Sequence, residues 1–135
     1  MKKALVVVVL FCVLSCEVQG ELTSSKAAGS VSQSAMLLYS GNFYPTSGIS
    51  VEGSAQIFSD GGLNKLKLQN FTITDGPDLK VYVSKSNTPT DFVNLGNLNA
   101  NTIYSIPESV DVTQYKYVLI HCQQYNHLFA IAILN

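Results

Sequence analysis

From about Met36 onward the sequence is a succession of short apolar runs broken by turn residues roughly every 8 to 15 positions, the mark of an all-β sandwich or barrel. Val51, Gly53, Ala55 and Ile57 alternate with mostly polar residues and end at Ser59-Asp60-Gly61-Gly62, which predicts a hairpin turn. Leu66 and Leu68 keep one phase but Phe71 and Ile73 fall on the other, so the strand that carries them needs a bulge or bend near Gln69-Asn70. Asp75-Gly76-Pro77-Asp78 then breaks the chain. Leu79, Val81 and Val83 form the next apolar face with Tyr82 opposite, closed by Ser86-Asn87-Thr88-Pro89. Phe92-Val93 with Leu95, and Ile103 to Ile106, make two further short segments, and Pro107-Glu108-Ser109 a turn or single helical turn. Tyr117 to Cys122 places Val118, Ile120 and Cys122 on one face. Leu128 to Leu134 is apolar on both faces and belongs in the middle of a sheet.

Composition agrees with a small β-rich domain. Of 135 residues 47% are hydrophobic and 13% charged, enough apolar mass and little enough charge for one folded unit. All eight basic residues are Lys against nine acidic ones; without clusters or guanidinium forks the chain is not expected to bind nucleic acid.

The first residues read as a targeting signal. Lys2 and Lys3 precede an uninterrupted apolar run, Ala4 to Leu14, too short to cross a bilayer. Val13-Leu14-Ser15-Cys16 resembles the lipobox of bacterial lipoproteins, which implies cleavage before Cys16 and acylation of that residue by palmitate-type chains; the plainer alternative is an ordinary cleaved signal with a chance Cys. The expected organisation is a lipoprotein signal peptide at 1–15, a flexible Ser/Ala/Gly/Gln-rich tether at 16–35, and a β-sandwich domain at 36–135. Such a chain sits in the cell envelope, periplasmic or at the cell surface, held to the membrane through Cys16. Loss of residues 1–15 leaves six Lys against nine carboxylates, a formal charge of −3. It also removes Cys12, and lipid consumes Cys16. Cys122 is then the one thiol left, and it cannot make an internal disulfide.

The ordered series Ser40-Gly41-Asn42-Phe43, Gly53-Ser54-Ala55-Gln56-Ile57, Leu66-Lys67-Leu68-Gln69-Asn70-Phe71, Asp75-Gly76-Pro77-Asp78-Leu79 with Val81-Tyr82-Val83, Val93-Asn94-Leu95-Gly96-Asn97-Leu98, Tyr104-Ser105-Ile106-Pro107 and Val118-Leu119-Ile120-His121-Cys122, with Tyr125 and then Phe129-Ala130-Ile131-Ala132, resembles the Skeletor-type electron-transfer domain, also called DM-thirteen. The resemblance implies a compact extracytoplasmic β-domain, found beside haem-binding or b-type cytochrome modules, that works with a redox partner protein. It also implies an electron-transfer role for the Cys at the position of Cys122, as a bare thiol or as a ligand to a prosthetic group. Two residues depart from the family pattern: His121 stands where an aromatic residue is common, and His127 where an aliphatic one is usual.

If Gln123 to Asn126 is a four-residue hairpin loop, Cys122 faces His127 across the strands, with Ile120 opposite Phe129 and Val118 opposite Ile131. Directly opposed residues have Cβ atoms about 4.5–5.5 Å apart, close enough for a Cys–His pair in which an imidazolium favours the thiolate. His121 lies on the other face. The competing readings are core packing for Cys122 with His127 capping the sheet, in a non-catalytic surface binding or adhesion module, and a disulfide to another molecule. A c-type haem lacks its Cys-x-x-Cys-His motif, whereas non-covalent haem with Cys122, His121 or His127 as axial ligand is compatible with the residues. No zinc spacing occurs, and the carboxylates of Asp75 and Asp78 are explained by turn chemistry more simply than by Ca²⁺. Tyr39, Tyr44, Tyr82 and Tyr125 are candidates for an exposed aromatic surface or for cross-strand packing. Hydrolase signatures are absent, and substrate turnover is not expected.

Overall fold

A computed structural model describes residues 29–135. The signal peptide, the lipobox and Cys16 lie outside the described residues. Eight strands follow one another: β1 (Met36–Pro45), β2 (Val51–Asp60), β3 (Leu63–Ile73), β4 (Leu79–Ser84), β5 (Phe92–Asn97), β6 (Ile103–Ser105), β7 (Tyr117–Cys122) and β8 (His127–Ile133), with no helix among the described residues. They form one antiparallel sheet in the order β5-β4-β7-β8-β1-β2-β3-β6. The sheet curls until its two ends approach: the Tyr104 hydroxyl, at β6, donates to the Asn97 carbonyl at the end of β5 (3.1 Å) and accepts from the Asn99 N–H (3.1 Å). The all-β expectation holds, in its barrel-like form.

Closure depends on β1, which is shared between the two halves of the sheet. Its first part, Met36 to Asn42, pairs with β2, and Phe43 to Pro45 then pair with β8. At the crossing the chains come so close that a Cβ on Gly41 would sit 1.9 Å from the Ile133 carbonyl oxygen, so only a residue without a side chain fits. The expected irregularity in β3 is present. Between the pairs Glu52↔Thr72 and Ser54↔Gln69 one extra residue bulges out, Asn70 takes φ 53° and Gly53 opposite takes φ 109°. That bulge is why the phase change in the sequence does not turn Phe71 and Ile73 away from the core, against which both pack. The β2–β3 hairpin turns on Gly61 and Gly62, both at positive φ, as the sequence predicts.

All eight strands contribute inward residues to the interior, and Ala55, Ile57, Leu66, Val81, Val83, Val118, Ile120, Cys122, Ala130 and Ala132, from β2, β3, β4, β7 and β8, have no exposed surface. Burying each Val, Leu or Ile contributes about 1.5–3 kcal/mol, enough to oppose the entropy of ordering so many short strands and loops. A second, smaller cluster, Tyr82, Leu119 and Ile131, lies on the opposite face of β4, β7 and β8, which accounts for the two-sided apolar pattern of β8. Of the four tyrosines, Tyr39 packs against the core, Tyr82 is buried in the second cluster, and Tyr44 and Tyr125 are exposed, so they do not form one surface.

Just before β1, Ser32 donates from its backbone N–H (2.9 Å) and hydroxyl (2.6 Å) to Asp60, which also pairs with Lys65 at 3.0 Å. These donors hold the Asp60 carboxyl down at about 2, the Ser32 hydroxyl and N–H ahead of Lys65.

Candidate redox site

Cys122 ends β7. Alternation from Val118 and Ile120 turns its side chain inward, and it is fully buried in the core, flanked in register by Leu79 of β4 and His127 of β8. The Cys122–His127 pairing follows the four-residue turn read from the sequence. The rest of the expected register does not. Ile120 faces Ala130 and Val118 faces Ala132, because the register shifts between Ile120 and His121, so one extra residue of β8 is inserted at this point. The displaced residue is Phe129, whose ring enters the core. The sequence offers no Gly or Pro there to announce a bulge.

Phe129 and the loop before β4 close the end of the barrel next to the sulfur. A Cβ on Gly76 would lie about 3 Å from the Phe129 ring and 2.9 Å from Leu79, so the Asp75–Asp78 turn rests directly on these two side chains. The Gln123 N–H donates to the Asp78 carbonyl (3.0 Å), joining that turn to the β7–β8 turn. On the other flank Thr46 donates its N–H to the Phe129 carbonyl (2.9 Å) and its hydroxyl to the Leu128 carbonyl (2.6 Å). Asp75 to Asp78 turn the chain between β3 and β4, as their residue types predict, and the same turn packs on Phe129. Lys80 reaches back to Asp78 (3.1 Å) and also bonds Asn97, beside a cleft of about 400 Å³ lined by the Asp75–Asp78 turn and by Asn97 and Leu98. Among the described residues no group of three or more His, Cys, Asp or Glu converges as a metal site.

The two imidazoles are placed differently. His127 is exposed at the rim and sets its ring edge-on to Phe129, with centroids 5.0 Å apart. No hydrogen bond joins the Cys122 thiol to either imidazole among the described residues. His121 points to the outer face and is only 5% exposed. Its Nε2 lies 3.2 Å from Asn126 Oδ1, and its ring stacks on Tyr82 at 5.4 Å, which in turn stacks on Phe92 at 4.2 Å. Burial lowers the His121 pKa, only partly offset by the Asn126 bond and reinforced by His127. Tyr82 is raised, by burial first and then by Asp78. Neither Asn126 nor Phe92 was expected from the sequence. The one local signal was Asn126 itself, an Asn in a tight turn, where it takes φ 51°.

A haem held by these residues does not fit the arrangement. Cys122 faces the packed interior, His121 the outer face and His127 the rim, and neither main cleft is lined by any of the three.

Fold and site define a small, nearly closed antiparallel β-barrel that holds, among the described residues, a single inward thiol near one end. Residues 44–134 match the family model described as Electron transfer DM13, and the chain belongs to that family. The family suggests a redox or electron-transfer role. No curated protein and no solved structure matches the chain.

Proposed function

We propose that the protein is a lipid-anchored, extracytoplasmic electron-transfer domain in which Cys122 is the redox-active residue and His127 its proton partner. The observation that carries this reading is the cross-strand pairing of Cys122, the one thiol among the described residues, with an imidazole at the rim, in a chain of the electron-transfer family. A charged sulfur at this position would have no compensating donor among the described residues, and an uncompensated buried charge is costly. Loss of one electron from the thiol to the one-electron metal centre of a partner protein, with its proton passing to His127, leaves the interior neutral. Return of the electron restores the S–H bond from the same proton. The clasp between Gln123 and Asp78 and the Phe129 ring keep water and larger thiols from the sulfur, which favours electron exchange over disulfide exchange. The signal-like N-terminus and Cys16 support the envelope location and the membrane anchor.

A second reading is favoured by the complete burial of Cys122: a surface binding module in which the sulfur is packing. A mediated redox titration of the full-length protein separates the two. The electron-transfer reading expects a one-electron couple in the wild type, lost in Cys122→Ser and retained with altered pH dependence in His127→Phe. A folded wild type without any couple, or a couple unchanged in Cys122→Ser, supports the binding module.

A further inference from the structure

The outer face of β4, β7 and β8 carries an apolar, aromatic surface over which no further strand lies among the described residues. Tyr82, Leu119 and Ile131 are buried there, with Phe92 stacked on Tyr82 at 4.2 Å and 22° and with Tyr117 and Leu128 packed against the cluster. Within this surface His121 is 95% buried, being 5% exposed. Asn126 Oδ1 can only accept, so His121 Nε2 carries the proton and donates, which leaves Nδ1 as a bare acceptor. Nδ1 is buried and has no hydrogen-bond partner among the described residues. Buried polar atoms are nearly always matched, and a lone pair left over among aromatic and aliphatic side chains is matched only by an N–H or O–H donor.

We propose that this face binds a planar aromatic ring bearing a hydroxyl, a ligand of the hydroquinone class, with the ring against Tyr82 and Leu119 and the hydroxyl donating to His121 Nδ1. Phe92, on the edge strand β5 and 39% exposed, is the side chain that moves to admit the ring. The site discriminates between oxidation states of its ligand. A quinone carries only acceptor oxygens and would set one against the Nδ1 lone pair, so the reduced form binds tighter by roughly tenfold or more. The proposal involves no electron transfer and does not use Cys122, so a negative redox titration of Cys122 leaves it standing.

The test is equilibrium binding of tetramethylhydroquinone, under anaerobic conditions, and of its quinone to the full-length protein. Methylation at every ring carbon blocks addition to thiols. Expected are saturable binding with at least about tenfold preference for the hydroquinone, loss of that preference in His121→Phe with ring binding kept, and equal tightening of both forms in Phe92→Ala, which removes the ring that must move aside. Equal affinity for the two forms in the wild type, no saturable binding of either, or a preference preserved in His121→Phe would overturn it.

Discussion

Replacing His121 by Phe removes the side-chain nitrogen that is buried without a partner and keeps an aromatic ring on Tyr82. The lost bond to Asn126, at 3.2 Å, is worth about 0.5–1.5 kcal/mol, and Asn126 is exposed, so water replaces the imidazole. Against this, an unmatched buried acceptor costs about 1–3 kcal/mol. The variant is therefore expected to be more stable by about 1 kcal/mol, a rise in Tm of about 4–8 °C for a domain of this size, measured by thermal and urea unfolding at pH 7.5. The pH dependence follows from the same burial. His121 is held below its usual value, so as pH falls the unfolded chain takes up the proton first. Its contribution is flat above about pH 6.5 and is lost as pH falls from there toward the folded value. His121→Phe flattens that limb. A variant less stable than the wild type by 1 kcal/mol or more, with an unchanged acid limb, would mean that Nδ1 is matched, and would refute both this reasoning and the ligand site built on it.

Other expectations are independent of His121. Gly53→Ala forces a Cβ to within 2.7 Å of the Asn70 and Gln69 carbonyl oxygens at φ 109° and is expected to cost about 2–4 kcal/mol, whereas Gly61→Ala, with positive φ but open space, costs about 1 kcal/mol; parallel urea titrations compare them. Asp60, held at about 2, supports stability that is complete above its usual value near 3.8 and disappears as pH falls toward 2; Asp60→Asn removes that acid limb, seen as a flatter unfolding midpoint between pH 4 and pH 2. A charged disulfide reagent should label Cys122 of the native protein only as fast as the barrel end opens, with a rate that climbs steeply with urea; immediate stoichiometric labelling without denaturant would contradict its burial.

Much of the fold is legible in the sequence because the strands alternate cleanly and the turns carry their own chemistry. The phase slip from Leu68 to Phe71 foretold the bulge at Asn70, and the uniformly apolar stretch from Leu128 foretold a central strand. What escaped depends on contacts between distant segments. The register shift beside Ile120 has no glycine to mark it, and it alone decides that Phe129 enters the core beside Cys122. The pairing of Cys122 with His127 could be counted along the hairpin, but the clasp of Gln123 on Asp78 and the seat of Gly76 on Phe129 join elements more than forty residues apart in the chain. His121 was placed on the correct face by alternation; its burial by Tyr82 and Phe92 belongs to tertiary structure.

Coulometry of the full-length protein beside Cys122→Ser tests the redox role of the thiol most directly. Close to one electron is expected to exchange reversibly per wild-type chain, at a midpoint independent of pH while His127 holds the displaced proton, against a fall of about 59 mV per pH unit in His127→Phe, where the proton leaves for solvent, and none in Cys122→Ser. A correctly folded wild type that exchanges no electrons, or a Cys122→Ser variant that exchanges as many, would contradict it.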